Sequence, residues 1–291
     1  MIHSMTGYAA ANRDLGRAVL SFEIKSVNSR YLDIGFRLGE DLRHLEMALR
    51  ERIAERLGRG KIEVRGYLQA QPGNGGDARR RVPDPDRLAE LARLEEQVRA
   101  ALPQASPLSV AEVLRWPGVL AEDELTAEEL QVAAAEVFGL LLDEFMASRR
   151  REGAKLAEVL RERARRMRER VAAAEPLVPA ALAAYGERLA TRLREAVASL
   201  DEERIRQEIG VFAAKIDVAE EIARLKTHLD ELDRVLSKGG AVGKRLDFLM
   251  QELNREANTL SSKSVSVEVT AIALELKLLI EQMREQVQNL E

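Results

Sequence analysis

The sequence predicts an α+β fold: a small antiparallel sheet with helices at the N-terminus, a long helical arm, and a C-terminal helical domain. Three observations predict it. Alternation of apolar and polar residues, the period of a half-buried strand, is confined to the first 70 residues. From Pro85 onward apolar residues recur at helical spacing instead. The composition, 46% hydrophobic and 32% charged but only 4% aromatic, suits long amphipathic helices better than an aromatic-lined small-molecule pocket. At 291 residues the chain exceeds one typical domain, and the pattern divides it into an α+β part (1–145), a connecting arm (146–207) and a helical domain (208–291).

Residues 3–37 read as β-rich. AVLSFEIKSV and RYLDIGFRL alternate around the Asn28-Ser29 turn signal, and two antiparallel strands are the simple interpretation. A helix over 41–57 follows from Leu42, Leu45, Leu49, Ile53 and Leu57, ended by Gly58 and Gly60. KIEVRGYLQA is a further alternating strand, and QPGNGGDARRRVPDPD is a loop by its Gly and Pro content. The helical remainder breaks at Pro103–Pro107, Trp116-Pro117-Gly118, Pro176–Pro179 and Lys238-Gly239-Gly240. Helices between Glu144 and Leu236 are long enough to serve as an arm, a coiled-coil-like hairpin or an oligomer interface. No fixed-period repeat points to a solenoid.

Absent residues narrow the chemistry. Without cysteine there is no disulfide, thiolate nucleophile or thiolate zinc site, so oxygen or imidazole must hold any metal. The sequence MIHSMTGYAA has no basic segment leading into an apolar one, and no run of about 18 apolar residues follows. A cytoplasmic protein with no membrane partner is expected. GxxxxGK[ST], GxGxxG after a strand, GxSxG and HExxH are all missing, which removes the usual support for nucleotide hydrolysis, hydride transfer and serine hydrolysis. A net charge of −4 does not announce a nucleic-acid binder, so any such binding must use local basic patches. Clusters occur at Arg79–Arg81, Arg149–Arg151 and Arg161–Arg170, the last reading more readily as a solvated face paired with Glu162 and Glu169.

The C-terminal helices carry the most suggestive chemistry. In 217–236, Val218, Ile222, Leu225, Leu229, Leu232 and Leu236 form an apolar stripe, flanked by Asp217, Glu221, Arg224 and His228 at i, i+4, i+7 and i+11. A row of surface ion pairs would explain this flank, but His228 can also ligate metal or transfer protons near neutral pH. In 242–260, Leu246, Met250, Leu253, Ala257 and Leu260 form the buried stripe, beside a row of Asp247, Gln251, Asn254 and Asn258. On the outer side Glu252 and Glu256 are an i, i+4 pair able to share a divalent cation, with Lys244, Arg245, Arg255 and Lys263 around them as phosphate-binding types. The last helix is built on Ile272, Leu276, Leu279, Ile280, Met283, Val287 and Leu290, with Glu275, Glu281 and Glu285 as further carboxylates. Spacing alone does not separate a hydrolytic metal site from a helical scaffold.

The strings SMTGYA (4–9), EIKSVNSRYLDI (23–34) and RGKIEV (59–64), then KIDVAEEIARLKTHL (215–229), VGKRLDFLMQELNREANTLSSKS (242–264) and ELKLLIEQMREQVQNLE (275–291), resemble the YicC/YloC family of bacterial endoribonucleases. Between 71 and 200 the likeness rests on REGAKL (151–156) and helical pattern. The resemblance implies cleavage of single-stranded RNA assisted by Mn²⁺ or Mg²⁺, a role in small-RNA and transcript turnover beside other RNA-decay enzymes, and a ring-like homo-oligomer, a hexamer. Carried onto this chain, it implies catalytic roles for Glu221, His228, Asp247, Glu252 and Glu256, with Glu252, Glu256 and His228 as metal ligands. Arg30, Lys61, Lys244, Arg245, Arg255 and Lys263 are the corresponding RNA contacts. Two alternatives stay open: a metal-free path with His228 as general base, leaving a cyclic phosphate, and an RNA-binding adaptor that delivers RNA to another nuclease.

Overall fold

The computed structural model describes residues 1–16, 18–70, 83–119, 126–196 and 202–291. The QPGNGGDARRRVPDPD loop and the Arg79–Arg81 cluster fall largely or wholly outside them. Four strands, β1 (Gly7–Asp14), β2 (Ala18–Val27), β3 (Leu32–Leu38) and β4 (Gly60–Ala70), form one sheet in the order β1-β2-β4-β3. The fold class is the expected α+β, but the sheet is mixed. β2 pairs antiparallel with β1 and β4, whereas β3 runs parallel to β4, and β2 and β3 do not pair. The reason is the connection after β3. A 3-10 turn (Glu40–Leu45) and α1 (Glu46–Arg56) carry the chain back across the sheet, and such a crossover delivers the next strand in the parallel sense. Asn28 makes no hairpin turn; its side-chain amide donates instead to the Gln288 carbonyl, 2.7 Å away.

Alternation along the strands decides the layers. Leu20, Phe22, Ile24, Ile62 and Val64 face inward, while Tyr8, Lys25, Lys61, Arg65 and Tyr67 face outward. The inner face is covered by Leu49 and Ile53 of α1 and by the first half of α4 (Ala127–Ala174), where Phe138 meets Phe22 edge to face at 5.5 Å. Two short helices, α2 (Pro85–Ala101) and α3 (Val110–Arg115), precede α4. The 48-residue α4 starts at a capping box between Thr126 and Glu129 and belongs to both cores. Its residues through Met146 pack with the sheet, and those from Leu156 onward pack with the C-terminal helices.

The two cores meet where the ends of the chain pair. Glu291 donates its amide to the His3 carbonyl, and Met5 donates to that of Asn289, an antiparallel contact laid across α4. Two glycines make the approach possible. A Cβ on Gly153 would lie 2.4 Å from the Ile2 carbonyl oxygen, and one on Gly243 equally close to that of Leu290. Buried Arg149 fills the junction, donating Nε to the Ser4 carbonyl at 2.6 Å and Nη2 to the Glu291 carboxylate.

Beyond the junction α5 (Leu177–Ala196) and α6 (Glu202–Lys215) pair, with Tyr185 stacked on Phe212 at 4.5 Å. Then α7 (Ala219–Lys238), α8 (Gly243–Lys263) and α9 (Val267–Val287) close on the second half of α4. The four-residue link from α7 to α8 turns the chain at Gly239 and Gly240, both at positive φ, so the two helices lie side by side and antiparallel. Among the described residues no helix is long and apolar enough to cross a membrane.

Candidate metal centre on the α7–α8 seam

Leu225, Leu229 and Leu232 of α7 and Leu246, Leu249, Leu253 and Leu260 of α8 are buried together in the C-terminal core. Burying those stripes sets the flanks of the two helices against each other, and the flanks are charged. Reading along the seam, Lys263 donates to Glu221 at 2.8 Å, Arg224 to Glu256 at 3.4 Å and Arg245 to Glu231 at 3.2 Å. Between the Arg224 and Arg245 rungs stands His228.

His228, Glu252 and Glu256 each offer one ligand atom, and these three atoms lie within 4.8 Å of one another. Octahedral metal–ligand bonds of about 2.1 Å would set ligands roughly 3–4.2 Å apart, so small side-chain movements suffice to close the group on an ion. Two carboxylates and an imidazole make a mixed oxygen and nitrogen set that fits Mn²⁺ better than the oxygen-demanding Mg²⁺. The two acids do not stand on an outer face of α8. Glu256 is only 3% exposed and Glu252 and His228 are half-buried, because the flank at 252 and 256 is the one turned towards α7.

The other sequence-derived residues are dispersed. Glu221 lies two turns before His228, about 10 Å along the helix; it is 5% exposed, bound to Lys263, and its Oε2 has no partner among the described residues. Asp247 is five residues from Glu252, a rotation of about 140° around α8, and accepts from the Gln251 amide at 3.0 Å. Lys263 is held by Glu221 and by the Asp217 carbonyl, and Arg245 by Glu231 while lying over the Phe248 ring at 5.7 Å. Lys244 and Arg255 are exposed on α8 with no ion pair among the described residues. Arg30, in the link between β2 and β3 and over the Tyr31 ring at 5.4 Å, and exposed Lys61 of β4 are in the N-terminal part, and among the described residues no hydrogen bond or ion pair ties either to the seam. Along Arg161–Arg170 the guanidiniums are engaged: Arg165 and Arg166 by Glu162, Arg168 by Asp230 and Asp233, Arg170 by Glu275.

Two seam residues were not singled out as site residues from sequence. Arg224 bridges Glu256 and the exposed Glu220, and these carboxylates, Glu220 foremost, raise its pKa further above its ordinary value. Glu231 is one turn beyond His228 on the same flank. Their signal was available in the i+3 and i+4 spacing to His228, but not the identity of the helix they face.

Family models described as "Endoribonuclease YicC-like, N-terminal region" and "Endoribonuclease YicC-like, C-terminal" match residues 2–158 and 174–291. The chain is similar over its whole length to "Probable endoribonuclease YicC" of Haemophilus influenzae, 42% identical over 293 residues with all of both chains covered. It is likewise similar to the protein of that name in Clostridioides difficile, 28% identical over 296 residues, again with full coverage of both.

Proposed function

The chain belongs to the family of YicC-like endoribonucleases, and on that premise we propose that it cleaves single-stranded RNA with a divalent cation, Mn²⁺ or Mg²⁺, held by His228, Glu252 and Glu256. The observation that carries the reading is the convergence of these three ligand atoms within 4.8 Å on two helices of the C-terminal family region. A cation there supplies Lewis-acid stabilisation of a phosphodiester and activation of water. Glu252 and Glu256 provide the anionic charge that a hard ion requires, and the leucine stripes of α7 and α8 fix the separation of the two helices. Lys244 and Arg255 of α8, exposed and without an ion pair among the described residues, supply phosphate contacts on the helix that bears the acids, and Arg30 and Lys61 extend the RNA path onto the N-terminal region.

The reading includes a cytoplasmic role in RNA turnover, with other RNA-decay enzymes as partners, and a homo-oligomer, a hexamer. Support for self-association comes from α9, where Val267, Ala271, Leu274 and Leu278 form an exposed apolar row at helical spacing.

The test is incubation of the purified chain with an end-labelled RNA containing single-stranded and duplex segments, with Mn²⁺, Mg²⁺ or a chelator. Cleavage confined to the single-stranded segments and abolished by the chelator is the expected result. Chelator-resistant cleavage would move the chemistry to His228 without metal, and binding without any cleavage would make the protein an adaptor.

A further inference from the structure

A carboxylate as buried as Glu256 calls for a compensating cation. Among the described residues its one ion-pair partner is Arg224, whose Nη1 stands at 3.4 Å, at the long limit of a hydrogen bond. The other end of the same guanidinium holds Glu220, which is well exposed. Arg224 is itself half-exposed and sits one turn before His228 on the same flank of α7. It therefore pairs with Glu220 on the solvent side and reaches Glu256 only at the long limit of a hydrogen bond, at the rim of the cluster formed by His228, Glu252 and Glu256.

We propose that Arg224 is the resident counter-ion of this site: it holds Glu256 while no metal is bound, competes with the metal for that carboxylate, and turns to RNA phosphate once displaced. The inference rests on the reading of the cluster as a cation site. A divalent ion on Glu256 replaces the compensation that Arg224 gives and also repels the guanidinium, so the two cations exclude each other at one carboxylate. The other rungs do not share this relation, because Lys263 and Arg245 pair with Glu221 and Glu231, which are outside the cluster. A guanidinium released at the rim keeps its fork of donors, which matches phosphate better than an ammonium does.

The test is Mn²⁺ binding to the full chain, read from the paramagnetic resonance of free Mn²⁺ and without RNA. Arg224→Ala should lower the Kd for Mn²⁺ roughly tenfold by removing a competing charge a few ångströms away. Arg224→Lys, which keeps the charge, should change it much less. Glu220→Gln frees Arg224 to lean on Glu256 and should raise the Kd severalfold. In an Arg224→Ala background that change should vanish, whereas a general charge effect of Glu220 would persist. Binding of a 2′-O-methyl oligouridylate should strengthen on Mn²⁺ addition, and by less in Arg224→Ala. If Glu256→Gln weakens Mn²⁺ binding but Arg224→Ala leaves it unchanged or weaker, the counter-ion role is overturned and the cation site stands. If Glu256→Gln has no effect on Mn²⁺ binding, both fall.

Discussion

The guanidinium of Arg149, 1% exposed in the middle of α4, donates to the carboxylate of Glu291, 142 residues further along the chain. This pair closes the junction where the sheet core and the helical core meet, and Ser4 and His3 are pinned against the same two residues. Glu291→Gln leaves a buried guanidinium with a weaker acceptor, and the expected loss is about 1.5–3 kcal/mol. Urea unfolding monitored by circular dichroism measures it; a midpoint shift no larger than that of an exposed control such as Glu40→Gln would show that the pair holds nothing together.

A second rung of the seam sets a stability test. Glu221 is buried, one of its oxygens has no partner among the described residues, and Lys263 is the cation paired with it. Lys263→Met should cost about 1–3 kcal/mol, because it strands a buried carboxylate whose partner is itself one-third exposed. Adding Glu221→Gln should recover more than half of that. Equal destabilisation in the single and double variants would mean that Glu221 is not relying on Lys263.

If the cluster is the proposed cation site, Glu252→Gln with Glu256→Gln keeps side-chain size and removes both candidate anionic ligands. Metal-stimulated RNA cleavage should fall by more than about a hundredfold, since the charge that holds a hard ion is gone. RNA binding should persist or strengthen, because two charges that repel phosphate are lost. Undiminished cleavage measured on the same RNA would remove these acids from the chemistry.

His3 gives the junction a pH dependence. Burial first, and then the charges of Arg149 and Arg150, hold its pKa below the ordinary value of 6.5, with Glu291 opposing. The unfolded chain therefore binds a proton at His3 more readily than the folded one, and stability rises with pH across that interval. The contribution is fully present above about pH 6.5 and is lost as pH falls below it towards the depressed folded value. His3→Gln should accordingly flatten the change in thermal midpoint between pH 7.5 and 5.5; identical profiles for both proteins would sink this assignment.

The exposed row on α9 predicts assembly. Leu274→Asp with Leu278→Asp places charges on side chains that are more than half exposed in the single chain and should leave its fold intact. If these residues meet a second copy, light scattering should report a smaller species than the parent. Unchanged mass at micromolar concentration would exclude this row from the interface.

Much of the architecture was legible because period is a local property. The 2-residue alternation of AVLSFEIKSV and KIEVRGYLQA and the leucine spacing of 218–236 and 246–260 each require only neighbouring residues, and each appears as an element at its expected place. The turn at Gly239-Gly240 was likewise marked by residue type. Strand partners were not legible, since alternation tells which face is buried but not which strand lies alongside, and only the crossover through α1 places β4 between β2 and β3.

The same division holds at the candidate site. The sequence by itself determined the residue types of the C-terminal helices: His228, Glu252 and Glu256 on helical flanks, with arginines and lysines beside them, and no thiol to compete for a metal. It also held the strings that carry the family likeness. Only the tertiary structure decided that the flank of α8 bearing Glu252 and Glu256 turns inward to meet His228, while Asp247 points elsewhere and Glu221 is taken by Lys263. The physical reason is that a helix flank acquires its partners from the way the apolar stripes seat against each other. That seating depends on contacts between residues far apart in the chain, which spacing along one helix does not encode.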